Sequence, residues 1–129
     1  MKLALTGATG FVGSAVLDHA IDQGMEVTAL ARSPQEPRAG VRWVSGDLGD
    51  QRALRDLCAE AEGVLHVAGV VNAADPAGFE QGNVAGTMNL IEAARAAGVR
   101  RFVFVSSLSA REPDLSAYGA SKARAEKLV

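Results

Sequence analysis

Short apolar runs alternate along the chain with longer stretches whose apolar residues recur every three to four positions. Lys2–Leu5 is such a run and leads into Thr6-Gly7, which predicts a strand and a turn. From Phe11 to Gln23, Val12, Ala15, Val16 and Ala20 fall at helical spacing, and Gly24 stands where a helix-ending glycine belongs. Glu26–Ala31 reads as a second strand, after which Ser33-Pro34 and Pro37 break the chain. Val41–Ser45 is a third strand. Asp50 is placed to cap a helix through Cys58 that carries Leu54 and Leu57 on one face. Gly63–Ala68 is a fourth strand. Asp75 before Pro76 is helix-start chemistry, and Val84, Met88, Ile91 and Arg95 step along one face as far as Gly98. That spacing predicts one long helix over 76–97. Arg101–Val105 is apolar without alternation, as a strand buried on both faces would be. A loop with Pro113 then leads to a last helix from about Ser116, and Trp43 and His66, both on strands, are expected in the core.

Alternation of strand and helix predicts an α/β fold, a doubly wound parallel sheet with strand order 3-2-1-4-5. A length of 129 residues suits a single domain. With 13 basic and 15 acidic residues, the charge is too balanced for a nucleic-acid footprint or a membrane-surface patch. One cysteine, Cys58, allows no internal disulfide and fits a reducing cytoplasm. No run approaches the ~20 apolar residues of a membrane span, and the apolar start is too short for a signal peptide. No His, Cys or Asp cluster has metal-ligand spacing, so no metal is expected.

The first strand–helix junction carries Thr6-Gly7-Ala8-Thr9-Gly10-Phe11-Val12-Gly13. Glycines there let the backbone turn tightly and approach a pyrophosphate, and the following helix offers free N–H groups and its positive dipole end. Gly7, Thr9, Gly10, Phe11, Val12 and Gly13 are therefore candidate cofactor contacts; the alternative is a plain strand–helix turn. Some twenty residues on, where an NAD-preferring site carries an acidic residue, stand Ala31 and Arg32. A guanidinium pairs with a 2′-phosphate, so NADP is favoured over NAD; the alternative is a solvated arginine. In Tyr118-Gly119-Ala120-Ser121-Lys122, residues four apart share a helix face. An ammonium beside a phenol favours the phenolate, so Tyr118 with Lys122 suits proton exchange with an alcohol or carbonyl. Ser106-Ser107 directly follows the fifth strand, where side chains reach the ligand cleft of a parallel sheet, or else satisfy loop backbone groups.

These segments, together with Gly46-Asp47-Leu48, His66-Val67-Ala68-Gly69 and Asn83-Val84-x-Gly86-Thr87-x-Asn89-Leu90, resemble the short-chain dehydrogenase/reductase superfamily. The likeness is to its extended branch of NAD(P)-dependent epimerases, dehydratases and reductases, and it runs from Lys2 to the last residue in the expected order. It implies a Rossmann-like fold and roles for particular residues. Asp47 and Leu48 would hold the adenine, Ala68 and Gly69 would lie against the cofactor, and Asn83 would fix the cleft. Ser107, Tyr118 and Lys122 would form the catalytic triad, with Ser107 preferred to Ser106, and Lys122 would also hold the nicotinamide ribose.

The substrate class implied is a small hydroxy or keto compound or a sugar nucleotide. The short loop between Ser107 and Tyr118 and the Ser109-Ala110-Arg111 segment depart from the sugar-nucleotide pattern and leave ketones, alcohols and lipid-like substrates open. Gly78, Gly82 and Gly86 recur every four residues. They serve either close packing within the domain or, as the resemblance implies, a homodimer through the helices 76–97 and 116–129. The last helix has no capping glycine. Residues 1–129 are therefore expected to be a truncated dinucleotide-binding domain, without its further strands and substrate domain, with strand five an exposed edge that behaves poorly in solution. Two alternatives remain: a non-catalytic nucleotide-binding module, and an inactive fragment.

Overall fold

The apolar runs assemble into one five-stranded, wholly parallel sheet in the order β3-β2-β1-β4-β5. The strands are β1 (Lys2–Thr6), β2 (Glu26–Ala31), β3 (Val41–Ser45), β4 (Gly63–His66) and β5 (Arg101–Phe104). The computed structural model describes residues 1–68 and 76–129, so the expected cap Asp75 lies outside the described residues. Helices α1 (Phe11–Asp22) and α2 (Gln51–Cys58) follow β1 and β3. After β4 come α3 (Pro76–Phe79), a π-helical segment (Glu80–Ala85) and α4 (Gly86–Ala96). Two short 3-10 turns, Leu108–Arg111 and Pro113–Leu115, precede α5 (Ala117–Glu126).

Because successive strand side chains point to opposite faces, β1 feeds two cores. Ala4 joins Leu54, Leu57, Cys58, Val64, Leu90 and Ala94 beneath α2 and α4, and Leu5 joins Leu17, Ala20, Val27 and Ala29 beneath α1. Burial pushes the Cys58 thiol up to about 11, which leaves it a packing residue. Asp50 caps α2, its carboxylate accepting from the Ala53 amide at 3.1 Å. Asp50→Ala is expected to cost about 1 kcal/mol in urea unfolding; an unchanged midpoint would show that the cap contributes nothing.

Three elements differ from the sequence expectation. Helix α1 buries Gly13, Leu17 and Ala20, while Val12 and Ala15 face water. The cause is Gly13, drawn so close to the Gly7 carbonyl that it must face the sheet. The helix after β4 is interrupted, not continuous. Its buried face is Asn83, Gly86, Thr87, Leu90 and Ala94, whereas Met88 and Arg95 are exposed. One wide π turn resets the phase of the helix, and the Thr87 hydroxyl donates to the Asn83 carbonyl at 2.8 Å there. Strand β5 alternates instead of burying both faces. Phe102 packs on the α2–α4 core and Phe104 meets α5, while Val103, on the other face of this edge strand, is 57% exposed. Trp43 is half-buried against the α1-side core. Gly86 packs within the domain: a Cβ there would sit 2.9 Å from Leu48 Cδ1.

Candidate functional site

Strand order reverses direction at β1, with β2 on one side and β4 on the other, and ligands of such sheets bind beyond the strand ends at that point. The chain leaves β1 through Gly7 at φ 77°, directly beneath Ala68, whose nitrogen lies 2.6 Å from where a Gly7 Cβ would stand. The Gly10 amide donates to the Gly7 carbonyl at 3.1 Å, and Gly10 is the N-cap of α1. No side chain caps this helix, and its first turn holds no acidic residue. Its leading amides and positive dipole end therefore suit an anion. Thr9, Gly10, Phe11 and Val12 are exposed around it, Phe11 at 94%. A dinucleotide pyrophosphate fits this loop.

The rim holds further expected contacts. Arg32, just past the end of β2, is exposed and makes no ion pair among the described residues. Arg38 and Arg42 are engaged, with Asp18 at 2.8 Å and Asp56 at 3.1 Å. Asp47 is exposed, and its carboxylate accepts from the Gly49 amide at 2.8 Å. Leu48 tucks its side chain against Gly86, and its carbonyl accepts from Asn89 Nδ2 at 2.9 Å. Gly69 lies outside the described residues.

Helix α5 starts at Ser116, whose hydroxyl accepts from the Gly119 amide at 2.9 Å. Gly119 is a point of close approach: a Cβ there would stand 2.5 Å from the Ser109 carbonyl oxygen. Helix α5 is thus seated on the turn that follows Ser107. Lys122, only 3% exposed, donates from Nζ to the Val105 carbonyl at 3.1 Å, with its ammonium 4.4 Å from the Phe104 ring centre. Burial holds that ammonium below the ordinary lysine range, and Glu126 offsets part of the effect. Tyr118 is half-buried, its ring edge-on to Phe79 with centroids 5.9 Å apart. Ser107 caps the next 3-10 turn, its hydroxyl accepting from the Ser109 amide at 3.1 Å. Ser106 Oγ is buried and finds no partner among the described residues. The end of β5 and the Lys122 end of the Tyr118–Lys122 turn are thereby brought together.

The sequence reading missed a buried polar set behind this site. Thr6, His66, Thr87 and Ser121 are fully buried and Asn83 is 2% exposed. Thr6 Oγ1 lies 2.6 Å from His66 Nδ1, and Thr87 Oγ1 lies 2.9 Å from His66 Nε2. Asn83 Nδ2 donates to Ser121 Oγ at 2.9 Å, and that hydroxyl donates to the Tyr118 carbonyl at 2.7 Å. His66 is a satisfied core histidine, as expected. The available signal was a pair of polar residues, Asn83 and Thr87, four apart on a helix face that had to be buried. Among the described residues no group of three His, Cys, Asp or Glu side chains comes together as a metal site needs, and no helix is long and apolar enough to cross a membrane.

The family model for the NAD dependent epimerase/dehydratase family matches residues 3–129. A ceramide reductase from Caulobacter vibrioides is 45% identical over 98% of this chain and 41% of its own length. A UDP-glucose 4-epimerase from Streptomyces lividans is 34% identical over 99% of this chain and 46% of its own. Among solved structures, a short-chain dehydrogenase/reductase superfamily protein from Agrobacterium tumefaciens with bound NAD superimposes with a TM-score of 0.87 at 33% identity. That alignment covers 99% of this chain and 44% of the other. The chain thus spans less than half the length of these relatives.

Proposed function

This chain belongs to the NAD dependent epimerase/dehydratase family, and we propose that it supplies the NADP(H)-binding part and the proton-transfer residue of an oxidoreductase or epimerase. The observation that carries this reading is Lys122. A lysine buried against the Val105 carbonyl just past β5, one helical turn from Tyr118, is costly to fold. It has a use where a phenol exchanges a proton with a reacting alcohol or carbonyl. Tyr118 is that acid/base, Lys122 tunes it and holds the nicotinamide ribose, and Ser107 donates its hydroxyl proton to the substrate oxygen. When bound, the nicotinamide supplies or accepts hydride at the carbon bearing that oxygen. The loop from Gly7 to Gly13 holds the pyrophosphate, Ala68 lies against the cofactor, and Asp47 and Leu48 border the adenine. Asn83 holds the cleft through α5. Arg32, which makes no ion pair among the described residues whereas Arg38 and Arg42 do, supports a 2′-phosphate and hence NADP over NAD. Among substrates, the short loop before Tyr118 and the ceramide reductase relative support a ketone or alcohol, lipid-like ones included, over a sugar nucleotide.

Fluorescence titration with NADPH and NADH tests the first half. NADPH is expected to bind the more tightly, and Arg32→Ala to remove that preference by roughly tenfold, as loss of one charge-assisted hydrogen bond does. No affinity for either dinucleotide would sink the reading, and equal affinity would sink the NADP assignment. For the second half, Tyr118→Phe is expected to keep NADPH affinity and lose about 100-fold or more of its turnover of a keto substrate. Full turnover in that variant would remove Tyr118 from the chemistry and favour a non-catalytic nucleotide-binding module.

A further inference from the structure

We propose that His66 is a positioning residue: as the neutral imidazole protonated at Nε2, it sets the direction of a buried hydrogen-bond chain from the phosphate loop to the helix of Tyr118 and Lys122. The direction follows from counting protons. The Thr87 hydroxyl has one proton and spends it on the Asn83 carbonyl at 2.8 Å. Its oxygen can therefore only accept from His66 Nε2 at 2.9 Å, so that nitrogen carries a hydrogen. At the other end, Thr6 Oγ1 accepts from two backbone amides, Val67 and Ala68, both at 3.1 Å. Both of its lone pairs are taken, so Thr6 donates its proton to Nδ1 at 2.6 Å, and Nδ1 must be bare. The other neutral tautomer would leave Nε2 facing an oxygen with no proton to give. The imidazolium would bring a second hydrogen against Thr6 and a charge towards Lys122, in a setting flanked by the Phe102 and Phe104 rings at 6.3 and 5.6 Å. One arrangement satisfies every member, and a fully satisfied buried network specifies a unique geometry.

What the chain joins gives it a use. Its start is the amide of Ala68, which lies against the Gly7 turn. At its far end Thr87 donates to the main-chain carbonyl of Asn83, and the side chain of that same residue carries the link on to Ser121, whose hydroxyl accepts from Asn83 Nδ2 and donates to the Tyr118 carbonyl. Ser121 stands between Tyr118 and Lys122 on α5. His66 thereby registers the helix carrying the proton-transfer residue against the loop that carries phosphate. Its functional meaning rests on the reading given above, whereas the chain itself does not.

NMR of the full chain tests this. The protein has two histidines and one tyrosine, so ¹⁵N-labelled histidine reads His66 against the exposed His19, and the ring signals of Tyr118 report where α5 sits against Phe79. At pH 7, His66 is expected to show a protonated Nε2 and a bare Nδ1. Thr87→Val, which removes the acceptor while keeping the shape, is expected to abolish that single tautomer and shift the Tyr118 ring signals. Thr87→Ser is expected to restore both. A bare Nε2 in the parent protein overturns the proposal, as do Tyr118 signals that ignore Thr87→Val or a shift that Thr87→Ser fails to reverse. NADPH titration of the same samples separates the two readings. Absence of binding with the Nε2–H tautomer present sinks the cofactor assignment and leaves the chain standing, whereas the wrong tautomer sinks the chain whatever NADPH does.

Discussion

Gly13→Ala is expected to destabilise the protein by about 3 kcal/mol or more and to abolish dinucleotide binding. A Cβ at Gly13 would stand 1.7 Å from the Gly7 carbonyl oxygen and 2.4 Å from its carbon. Those are backbone atoms of the loop itself, so no side chain can swing away, and relief requires moving α1 off the sheet. Overpacking of this kind typically costs 1–3 kcal/mol, and more when the obstacle is rigid. Gly24→Ala is the matched comparison. Gly24 has φ 77° but open space around it, so alanine there meets only backbone strain of about 1–2 kcal/mol. Urea unfolding of both variants, with NADPH fluorescence on each, separates a clash from strain. The close approach of loop and helix is wrong if Gly13→Ala loses no more stability than Gly24→Ala and still binds NADPH.

The same contrast explains what could be read from residues alone. Strand order followed from the alternation of runs, because parallel strands with helical crossovers leave few topologies. The glycine loop and the placing of Tyr118 and Lys122 on one helix were legible because each rests on local spacing: a turn that only glycine makes, and a four-residue helix step. Phases that depend on distant neighbours were not. Val12 lost its place on the buried face of α1 to Gly13, whose position is set by Gly7, and Met88 lost its place on α4 to the π turn at Asn83. Val103 reads as core by composition but stands on the open face of an edge strand. The polar set behind the site was hidden for the same reason. Thr6, His66, Thr87 and Ser121 are each unremarkable in sequence, and only the sheet register that pairs Thr6 with His66 aligns them.

Between pH 6.5 and pH 4 the protein is expected to lose about 3 kcal/mol of stability through His66 alone. Burial, and secondarily the charge of Lys122, lower this imidazole from 6.5 to about 4. In the unfolded chain it takes up a proton near pH 6.5, while the folded protein, with the ring buried and Nδ1 engaged by Thr6, takes it up only near pH 4. Across that window the unfolded state binds more protons, so stability falls as pH falls. The contribution is intact above pH 6.5, shrinks steadily below it, and stops changing once both states are charged. Urea midpoints measured at intervals from pH 7.5 to 4 follow the loss, and His66→Gln supplies the reference, because glutamine has the amide but no proton to take up. The parent is expected to fall more steeply than the variant by that amount, and parallel slopes would sink the assignment. Should the glutamine variant not fold, ¹⁵N titration of the parent reads the group directly, and a His66 midpoint above pH 6 would be equally decisive against it.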